Sequence, residues 1–389
     1  MSERQHCPGV REQLHIATAE DRLALEAVYI GTTVRHGDYH GHSATGFGDG
    51  KNTLTEWMAE MDRLQIDFAT IVDHRQTIHM HDPDFKADYF VGGSEPGTRI
   101  VDSPAQSANF DYSMVFSDTA KFERMLEKWR DVNQLWREEG YPGYRFRSTY
   151  REDGLTTAQF RELMQDVYNA GGVMVLVHPK HQGYLTSDDP LDYYFGENSA
   201  LEISNGLRLS NGDGGNMCAP SNEKAYRLWV ALLALGKKIW ASAGCDSHRL
   251  PDASALTSVY TVLDHREDYM AALRSGNTAP GWVGIRMQIN GTPMGGKTDF
   301  AGQRLVFSVG DIYTGDAGEE DPVYQSSHSY RVELYKGSEV IMESVIDPSK
   351  MNWFAIDCEK DAKFYRVVVW DDTAATRVGV SNPIWNTAE

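Results

Sequence analysis

Two patterns of apolar positions alternate along the first 284 residues. Amphipathic helices are predicted where apolar residues recur at i, i+3, i+4 and i+7, at 54–64, 122–136, 160–168, 225–235 and 266–275. Between them lie short runs that are apolar at almost every position, at 68–72, 173–177 and 239–243. Such runs are typical of strands buried on both faces, so the alternation predicts an α/β fold with a parallel sheet.

The pattern changes near residue 285, where the helical periodicity ends. Strand-like segments follow at 285–289, 305–309, 330–335, 339–346, 353–357 and 365–370. Lys336-Gly337-Ser338 predicts a hairpin turn between two of these strands. Short strands at this spacing predict a β-sandwich of roughly 100 residues. We therefore divide the chain into an α/β domain at 1–284 and an all-β accessory domain at 285–389.

Potential metal ligands lie at the C-terminal ends of the predicted strands. His40 and His42 form a His-x-His pair on one strand, where alternate side chains share a face and reach the same ion. The other candidates follow different strands or the Gly-rich turn after His42: Asp49, His74, Glu95, His178, Asp246 and His248. Functional side chains of α/β barrels gather at this rim. The alternatives are a helix cap for Asp49, a solvated carboxylate for Glu95 and a core histidine for His178.

The order of these motifs resembles the PHP (polymerase and histidinol phosphatase) superfamily of metal-dependent phosphoesterases. The resemblance runs from about residue 34 to 280 and rests on Asp38-Tyr39-His40-Gly41-His42-Ser43, Gly48-Asp49-Gly50, the segment 67–74, Gly93-Ser94-Glu95, Val177-His178-Pro179 and Gly244-Cys245-Asp246-Ser247-His248. Val72 stands where the family usually has Thr. The closing Ser381-Asn382-Pro383-Ile384-Trp385 is similar to the carbaryl-hydrolase-like branch.

This resemblance implies a distorted (β/α)7 barrel that carries two or three divalent ions at its C-terminal rim. His40, His42, Glu95 and Asp246 would hold one ion, Glu95 and His178 a second, and Asp49, His74 and His248 a third. The family usually has another histidine after the bridging glutamate, but this chain has none between Glu95 and His178. Asn109 or Asp111 is the candidate for that place, and loss of the second ion is the alternative.

Further polar residues near the motifs are candidates for substrate contact. His79 and His81 form a second His-x-His, which suits either substrate contact and leaving-group protonation or a surface loop. Cationic or imidazole side chains that directly follow the ligand motifs suit a substrate phosphate: Arg75, Lys180, His181 and Arg249. Asp73 is expected to orient a ligand or the end of its strand rather than to bind a metal ion directly. Glu202 remains open between orienting a ligand, contacting substrate and being solvated.

Composition narrows the possible partners. A formal net charge of -19 argues against nucleic acid as the main partner. No run of 18 apolar residues is present, so no membrane span is predicted. The polar residues 1–9 lack an apolar signal core, which predicts a cytoplasmic protein unless a signal peptide was removed. The four cysteines form no C-x-x-C pair, which argues against a structural zinc knuckle.

These observations predict a metal-dependent hydrolase. The leading interpretation is a phosphoesterase in which a metal-bridged hydroxide attacks a small phosphate ester, with zinc, manganese or iron as the ions. We find no convincing Ser or Cys nucleophile, which favours direct attack by water. The alternatives are hydrolysis of a carbamate, ester or amide at the same site, and a barrel that binds metal or ligand without turnover. An amidohydrolase barrel also opens with His-x-His, but residues 244–248 fit it poorly. The oligomeric state is left open.

Overall fold

The computed structural model describes residues 12–102, 110–147, 154–179, 188–206, 216–251, 253–315 and 324–388. Three residues that the sequence analysis named, Asn109, Lys180 and His181, lie outside these ranges. Within them, every helix is too short or too polar to cross a lipid bilayer.

The described residues form seven α-helices. They are α1 (Ala19–Val28), α2 (Leu54–Leu64), α3 (Thr119–Lys128), α4 (Arg130–Asn133), α5 (Thr157–Asn169), α6 (Pro220–Ala234) and α7 (Arg266–Ser275). Helix α2 has the predicted bounds, and its N-terminus is closed by a capping box between Thr53 and Glu56. Thr53 rather than Asp49 therefore caps this helix, so the carboxylate of Asp49 is available for another role.

The single long helix predicted at 122–136 is wrong, because the chain leaves helical geometry at Trp129. The Trp129 indole donates a hydrogen bond to Asp166 on α5 at 2.9 Å. Gln134 then adopts a left-handed conformation that ends α4. Tertiary contacts thus interrupt a segment whose apolar spacing alone favours one continuous helix.

A ten-stranded sheet forms the first part of the molecule. Its strands are β2 (Thr33–Gly41), β3 (Phe68–Ile71), β4 (Phe90–Ser94), β5 (Gly97–Thr98), β6 (Phe110–Phe116), β7 (Val173–Leu176), β8 (Ser199–Asn205), β9 (Trp240–Gly244), β10 (Thr257–Thr261) and β11 (Thr278–Pro280). They lie side by side in the order β11-β10-β2-β3-β4-β6-β7-β8-β9, and β5 pairs with β6. A bridge between Gly41 and Ser247 links β2 to the chain just after β9. The sheet therefore nearly closes into a barrel.

The predicted parallel sheet is instead mixed. Strand β6 runs antiparallel to both β4 and β7, and β10 runs antiparallel to β2. No helix lies among the described residues between β4 and β6, and a parallel pair would need a crossover of that kind. The fold is a mixed α/β protein with a barrel-like sheet, and the (β/α)7 layout stays a prediction.

We call residues 284–388 the C-terminal β region. Its strands are β12 (Gly284–Ile289), β13 (Thr292–Pro293), β14 (Lys297–Thr298), β15 (Arg304–Gly310), β16 (Tyr330–Lys336), β17 (Glu339–Ile346), β18 (Asn352–Asp357), β19 (Phe364–Asp371), β20 (Thr376–Val380) and β21 (Ile384–Asn386). They form a four-stranded sheet and, with β1 (Glu12–Gln13), a seven-stranded sheet. All six predicted strands are present. The domain boundary at 284 and the sandwich arrangement stay predictions.

The C-terminal β region is tied to the barrel-like sheet by buried hydrogen bonds. The Asn382 side chain accepts a hydrogen bond from the backbone N–H of Ala241 and donates to its carbonyl, at 2.7 and 3.1 Å. The same amide donates to the carbonyl and the hydroxyl of Thr278. Both partners lie on strands of the barrel-like sheet, β9 and β11, so the two parts of the chain share one interior.

Candidate metal centre

Four side chains from the ends of three strands, β2, β4 and β9, converge in the interior of the barrel-like sheet. The Nε2 atoms of His40 and His42 lie 3.2 Å apart, and each is 3.1 Å from Glu95 Oε2. Asp246 Oδ1 lies 3.4 Å from His40 Nε2 and 3.3 Å from His42 Nε2. All four residues are buried. We call these residues the first group.

The separations in the first group match those of ligands around one ion. A tetrahedral site with metal–ligand distances of about 2.0–2.2 Å has ligand–ligand edges of about 3.3–3.6 Å. The five distances given above lie close to that range. Hydrogen bonding alone explains the arrangement poorly, because a single proton cannot lie between four atoms that face one point. The residues therefore fit a divalent ion.

Glu95 also faces a second group. Its other oxygen, Oε1, lies 3.1 Å from His178 Nε2, and Asp111 completes a set of three potential ligands with these two residues. Asp111 is buried on β6, where it pairs with Gly97 of β5. The structure thus places Asp111, one of the two residues considered for the place of the missing histidine, beside Glu95 and His178.

A third group lies on the more exposed side of His42. Asp49 Oδ2 is 3.4 Å from His74 Nε2 and 3.2 Å from His248 Nε2, and Asp49 Oδ1 is 3.6 Å from His42 Nδ1. The side chains of Asp49, His74 and His248 are 46%, 30% and 32% exposed, whereas His42 is fully buried. The centre therefore opens to solvent through the third group.

The turn that carries Asp49 needs its glycines. A Cβ atom on Gly48 would lie 2.1 Å from the Ser43 carbonyl oxygen, and one on Gly50 would lie 2.3 Å from that of His42. Asp73 holds the start of this turn by accepting hydrogen bonds from the Ser43 backbone N–H and hydroxyl at 2.6 and 2.7 Å. The turn therefore returns Asp49 to the site, and Asp73 anchors the residue that follows His42.

Hydrogen bonds to Nδ1 leave the Nε2 lone pairs of three histidines facing the candidate sites. His74 Nδ1 lies 3.1 Å from the Glu95 carbonyl oxygen, and His248 Nδ1 lies 3.1 Å from that of Asp246. His40 Nδ1 lies 3.1 Å from Glu202 Oε1. Each partner is an acceptor, so the proton belongs on Nδ1 and Nε2 is the free ligand atom.

Glu202, whose role the sequence left open, supports two of the candidate ligands. Besides facing His40, it accepts hydrogen bonds at Oε2 from the backbone N–H of His178 at 2.7 Å and from Asn205 Nδ2 at 2.9 Å. It is buried in the middle of β8, three residues before Asn205 ends the strand. Glu202 thus joins the ends of three strands, and a spacing pattern in the sequence could not have indicated these partners.

Two candidate ligands adopt backbone conformations that are uncommon for residues other than glycine. His178 has φ of 29° and Asp246 has φ of 52°. Arg75, beside His74, has φ of 55°. Positive φ costs free energy in such residues and persists only where the surroundings enforce it. Its occurrence beside three ligand motifs indicates that the fold is shaped around this centre.

The carboxylates draw protons onto the imidazoles when no ion is bound. Burial opposes the charge of His42, but Asp246 and Glu95 outweigh it and raise the pKa of His42 to about 10. Burial likewise opposes the charge of His178, yet Glu95 raises its pKa to about 9. Burial and the nearby charge of Glu95 raise the pKa of Asp111 to about 7. The centre therefore attracts positive charge.

The residues predicted to contact substrate are distributed differently. His79 is buried, with Nε2 3.0 Å from the Ile71 carbonyl oxygen and Nδ1 3.3 Å from Asp73, which argues against a substrate contact. His81 faces Glu123 at 2.8 Å and is 29% exposed. Arg75 and Arg249 are exposed, one residue beyond His74 and His248 of the third group. Among the predicted substrate contacts that the structure describes, these two arginines combine exposure with proximity in sequence to the ligands.

No family model matches the sequence, and no curated protein matches it. Solved structures do. A two-domain protein from Bacteroides vulgatus, assigned a PHP-like metal-dependent phosphoesterase, shares 13% identity with a TM-score of 0.40, over 97% of this chain and 100% of that chain. A structure from Bifidobacterium adolescentis, assigned a metal-dependent phosphoesterase, shares 17% identity with a TM-score of 0.34, and the match covers 55% of this chain and 87% of that chain. An amidohydrolase from Chromobacterium violaceum, solved with sulfate and no metal, shares 15% identity with a TM-score of 0.32, and the match covers 56% of this chain and 92% of that chain.

Proposed function

We propose that this protein is a metal-dependent phosphoesterase that hydrolyses a small phosphate ester. The observation that carries the proposal is the position of Glu95 between two groups of candidate ligands. Its Oε2 atom faces His40 and His42, and its Oε1 atom faces His178. A carboxylate that faces two ligand groups is the arrangement that sites with paired ions need.

The residues that would hold the ions follow from the three groups. His40, His42, Glu95 and Asp246 would hold the first ion, Glu95, Asp111 and His178 the second, and Asp49, His74 and His248 the third. When bound, such ions lower the pKa of water to near neutrality and stabilise negative charge on a transferring phosphoryl group. Zinc, manganese and iron all suit imidazole and carboxylate ligands.

The protein's own residues favour an anionic substrate that enters through the third group. The first group is closed to solvent, whereas Asp49, His74 and His248 are partly exposed. Arg75 and Arg249 are exposed next to two of these residues, and the structure gives neither guanidinium an ion pair with another described residue. Both are therefore available to bind phosphate oxygens, for which guanidinium groups are well suited.

The test is metal content and turnover measured on the same sample, purified without chelator or affinity tag. We expect two or three ions per chain and hydrolysis of an aryl phosphate. His40→Ala and Asp246→Ala should each abolish turnover while the fold is kept. His265→Ala is the matched control, because His265 lies at the start of α7 and belongs to none of the three groups.

Three results would contradict the proposal. Full activity in His40→Ala or Asp246→Ala would show that the first group is not needed. Cleavage of an aryl ester without cleavage of the aryl phosphate would assign the centre to ester or carbamate hydrolysis. No bound ion and no turnover after metal addition would indicate a binding protein.

A further inference from the structure

Residues at the start of β20, in the C-terminal β region, hold the segment 216–223 that precedes and begins α6. Arg377 is buried, and its Nη2 donates hydrogen bonds to the Met217 carbonyl at 2.7 Å and to Glu223 at 2.6 Å. The Thr376 hydroxyl donates to Asn216 Oδ1 at 2.8 Å. A strand from one part of the chain therefore fixes a segment of the other.

The segment 216–223 in turn holds the backbone of Asn205 at the end of β8. Asn222 Oδ1 accepts a hydrogen bond from the Asn205 backbone N–H at 2.9 Å, and Asn222 Nδ2 donates to the Asn205 carbonyl at 3.2 Å. Asn222 Nδ2 also donates to the Asn216 carbonyl at 3.0 Å. One buried amide thus binds both backbone groups of Asn205 and joins them to the segment that β20 fixes.

Asn205 then contacts two carboxylates of the candidate metal centre. Its Nδ2 donates to Glu202 Oε2 at 2.9 Å and to Asp246 Oδ2 at 3.3 Å. Glu202 orients His40, and Asp246 belongs to the first group. All the residues in this path from Thr376 and Arg377 to Asp246 are described, and the contacts are direct hydrogen bonds.

We propose that the C-terminal β region positions the metal centre, and that Asn205 is the positioning residue through which it acts. Arg377 and Thr376 fix the segment 216–223, Asn222 of that segment fixes the backbone of Asn205, and the Asn205 amide aims Glu202 and Asp246 at the first group. The inference rests on the proposed function only in taking these residues as a metal centre. It does not depend on the substrate.

The chain offers a matched pair of buried arginines for the test. Arg366 is also buried in the C-terminal β region, and its Nη1 donates to the Tyr226 hydroxyl at 2.8 Å in the middle of α6. Arg377 contacts the same ring but also binds the segment 216–223. Arg377→Met and Arg366→Met each replace a buried guanidinium by a shorter, unbranched apolar chain, so both are expected to lower stability.

Zn²⁺ affinity, measured by chelator competition, should fall about 10-fold or more in Arg377→Met, because loss of supporting residues typically weakens metal binding by 10–100-fold. It should stay at the wild-type value in Arg366→Met. Backbone hydrogen exchange at the end of β8 should be faster in Arg377→Met and unchanged in Arg366→Met, with no metal present. Thr376→Val removes only one hydroxyl, so the same two measurements can be made on this variant if Arg377→Met does not fold.

The inference would be overturned if folded Arg377→Met kept the wild-type Zn²⁺ affinity and the wild-type rate of hydrogen exchange at the end of β8. The same result in Thr376→Val would overturn it if only that variant folds. Equal losses in Arg377→Met and Arg366→Met would also overturn it, because they would reflect general destabilisation. A wild-type protein that binds neither Zn²⁺ nor Mn²⁺ nor Fe²⁺ would refute the proposed function alone. In that case the exchange measurement still decides whether β20 fixes the end of β8.

Discussion

Glu202→Gln is the substitution that most directly tests how the first group is built. Glu202 Oε2 accepts two hydrogen bonds, from the His178 backbone N–H and from Asn205 Nδ2, whereas Oε1 faces His40 Nδ1 alone. A glutamine keeps more hydrogen bonds by placing its carbonyl oxygen at the Oε2 position. Its NH2 group then faces His40 Nδ1, which must become an acceptor. The His40 proton consequently moves to Nε2, the atom that faces the first group.

The size of the effect follows from that change of tautomer. A hydrogen bond to a charged group contributes about 1.5–3 kcal/mol, and the substitution removes one such bond from a ligand. Supporting residues of metal ligands typically account for about 10–100-fold in affinity, which corresponds to about 1.4–2.7 kcal/mol. The two ranges agree, so we expect Glu202→Gln to weaken Zn²⁺ binding by 10–100-fold while the fold is kept.

Chelator competition measures the affinity, and nitrogen chemical shifts of the histidine rings report the tautomer of His40 in the metal-free protein. Glu333→Gln is the matched control, because Glu333 is buried in the C-terminal β region and accepts hydrogen bonds from Tyr335 and Trp370. It should leave the affinity unchanged. Wild-type affinity in Glu202→Gln, or a His40 that keeps its proton on Nδ1, would refute this reasoning.

Three further changes have definite expected outcomes. Asp111→Asn removes a negative charge from the second group, so elemental analysis should find about one metal ion fewer per chain while the first group still holds its ion. An unchanged metal content would exclude Asp111 as a ligand. The pKa values of His42 and His178 are raised to about 10 and about 9 from 6.5 in the unfolded chain, so the stability that their protonation gives the fold is complete below pH 6.5 and is lost as pH rises through the raised values. Protein freed of metal by a chelator should therefore unfold at a lower urea concentration at pH 9.5 than at pH 6.5. The reverse order would contradict the assignment. Asn382→Ala leaves the buried backbone groups of Ala241 and the Thr278 hydroxyl without their hydrogen-bond partner, so the free energy of unfolding in urea should fall by about 3 kcal/mol. A loss below about 1 kcal/mol would show that water replaces the amide.

The elements of the fold were predictable where local sequence decides them. Helix α2 and the strands of the C-terminal β region appear as expected, because apolar periodicity reports directly on a buried face. The direction of β6 was not predictable in this way, because its apolar residues would be buried whether the strand ran parallel or antiparallel. Only the connection from β4, which lacks a described helix, sets that direction.

The candidate ligands were easier to predict from the sequence than the residues that support them. His40, His42, His74, His178 and Asp246 stand at strand ends, a position that apolar patterns locate. Asn205 ends β8 and Glu202 lies three residues before it, yet nothing in their spacing shows that they face Asp246 and His40. Asp111 lies inside β6 and reaches Glu95 and His178 only through sheet pairing. Supporting contacts depend on the pairing of distant segments, which one sequence does not reveal.

The charge of the centre argues for more than one ion. The three groups contain four carboxylates, from Asp49, Glu95, Asp111 and Asp246, and Glu202 adds a fifth beside His40. Neutral imidazoles, which metal binding requires, leave these charges uncompensated in a largely buried space. One divalent ion balances fewer than half of them, whereas two or three ions bring the total close to neutrality. The raised pKa values of His42 and His178 have the same origin, because protons supply this charge until ions replace them.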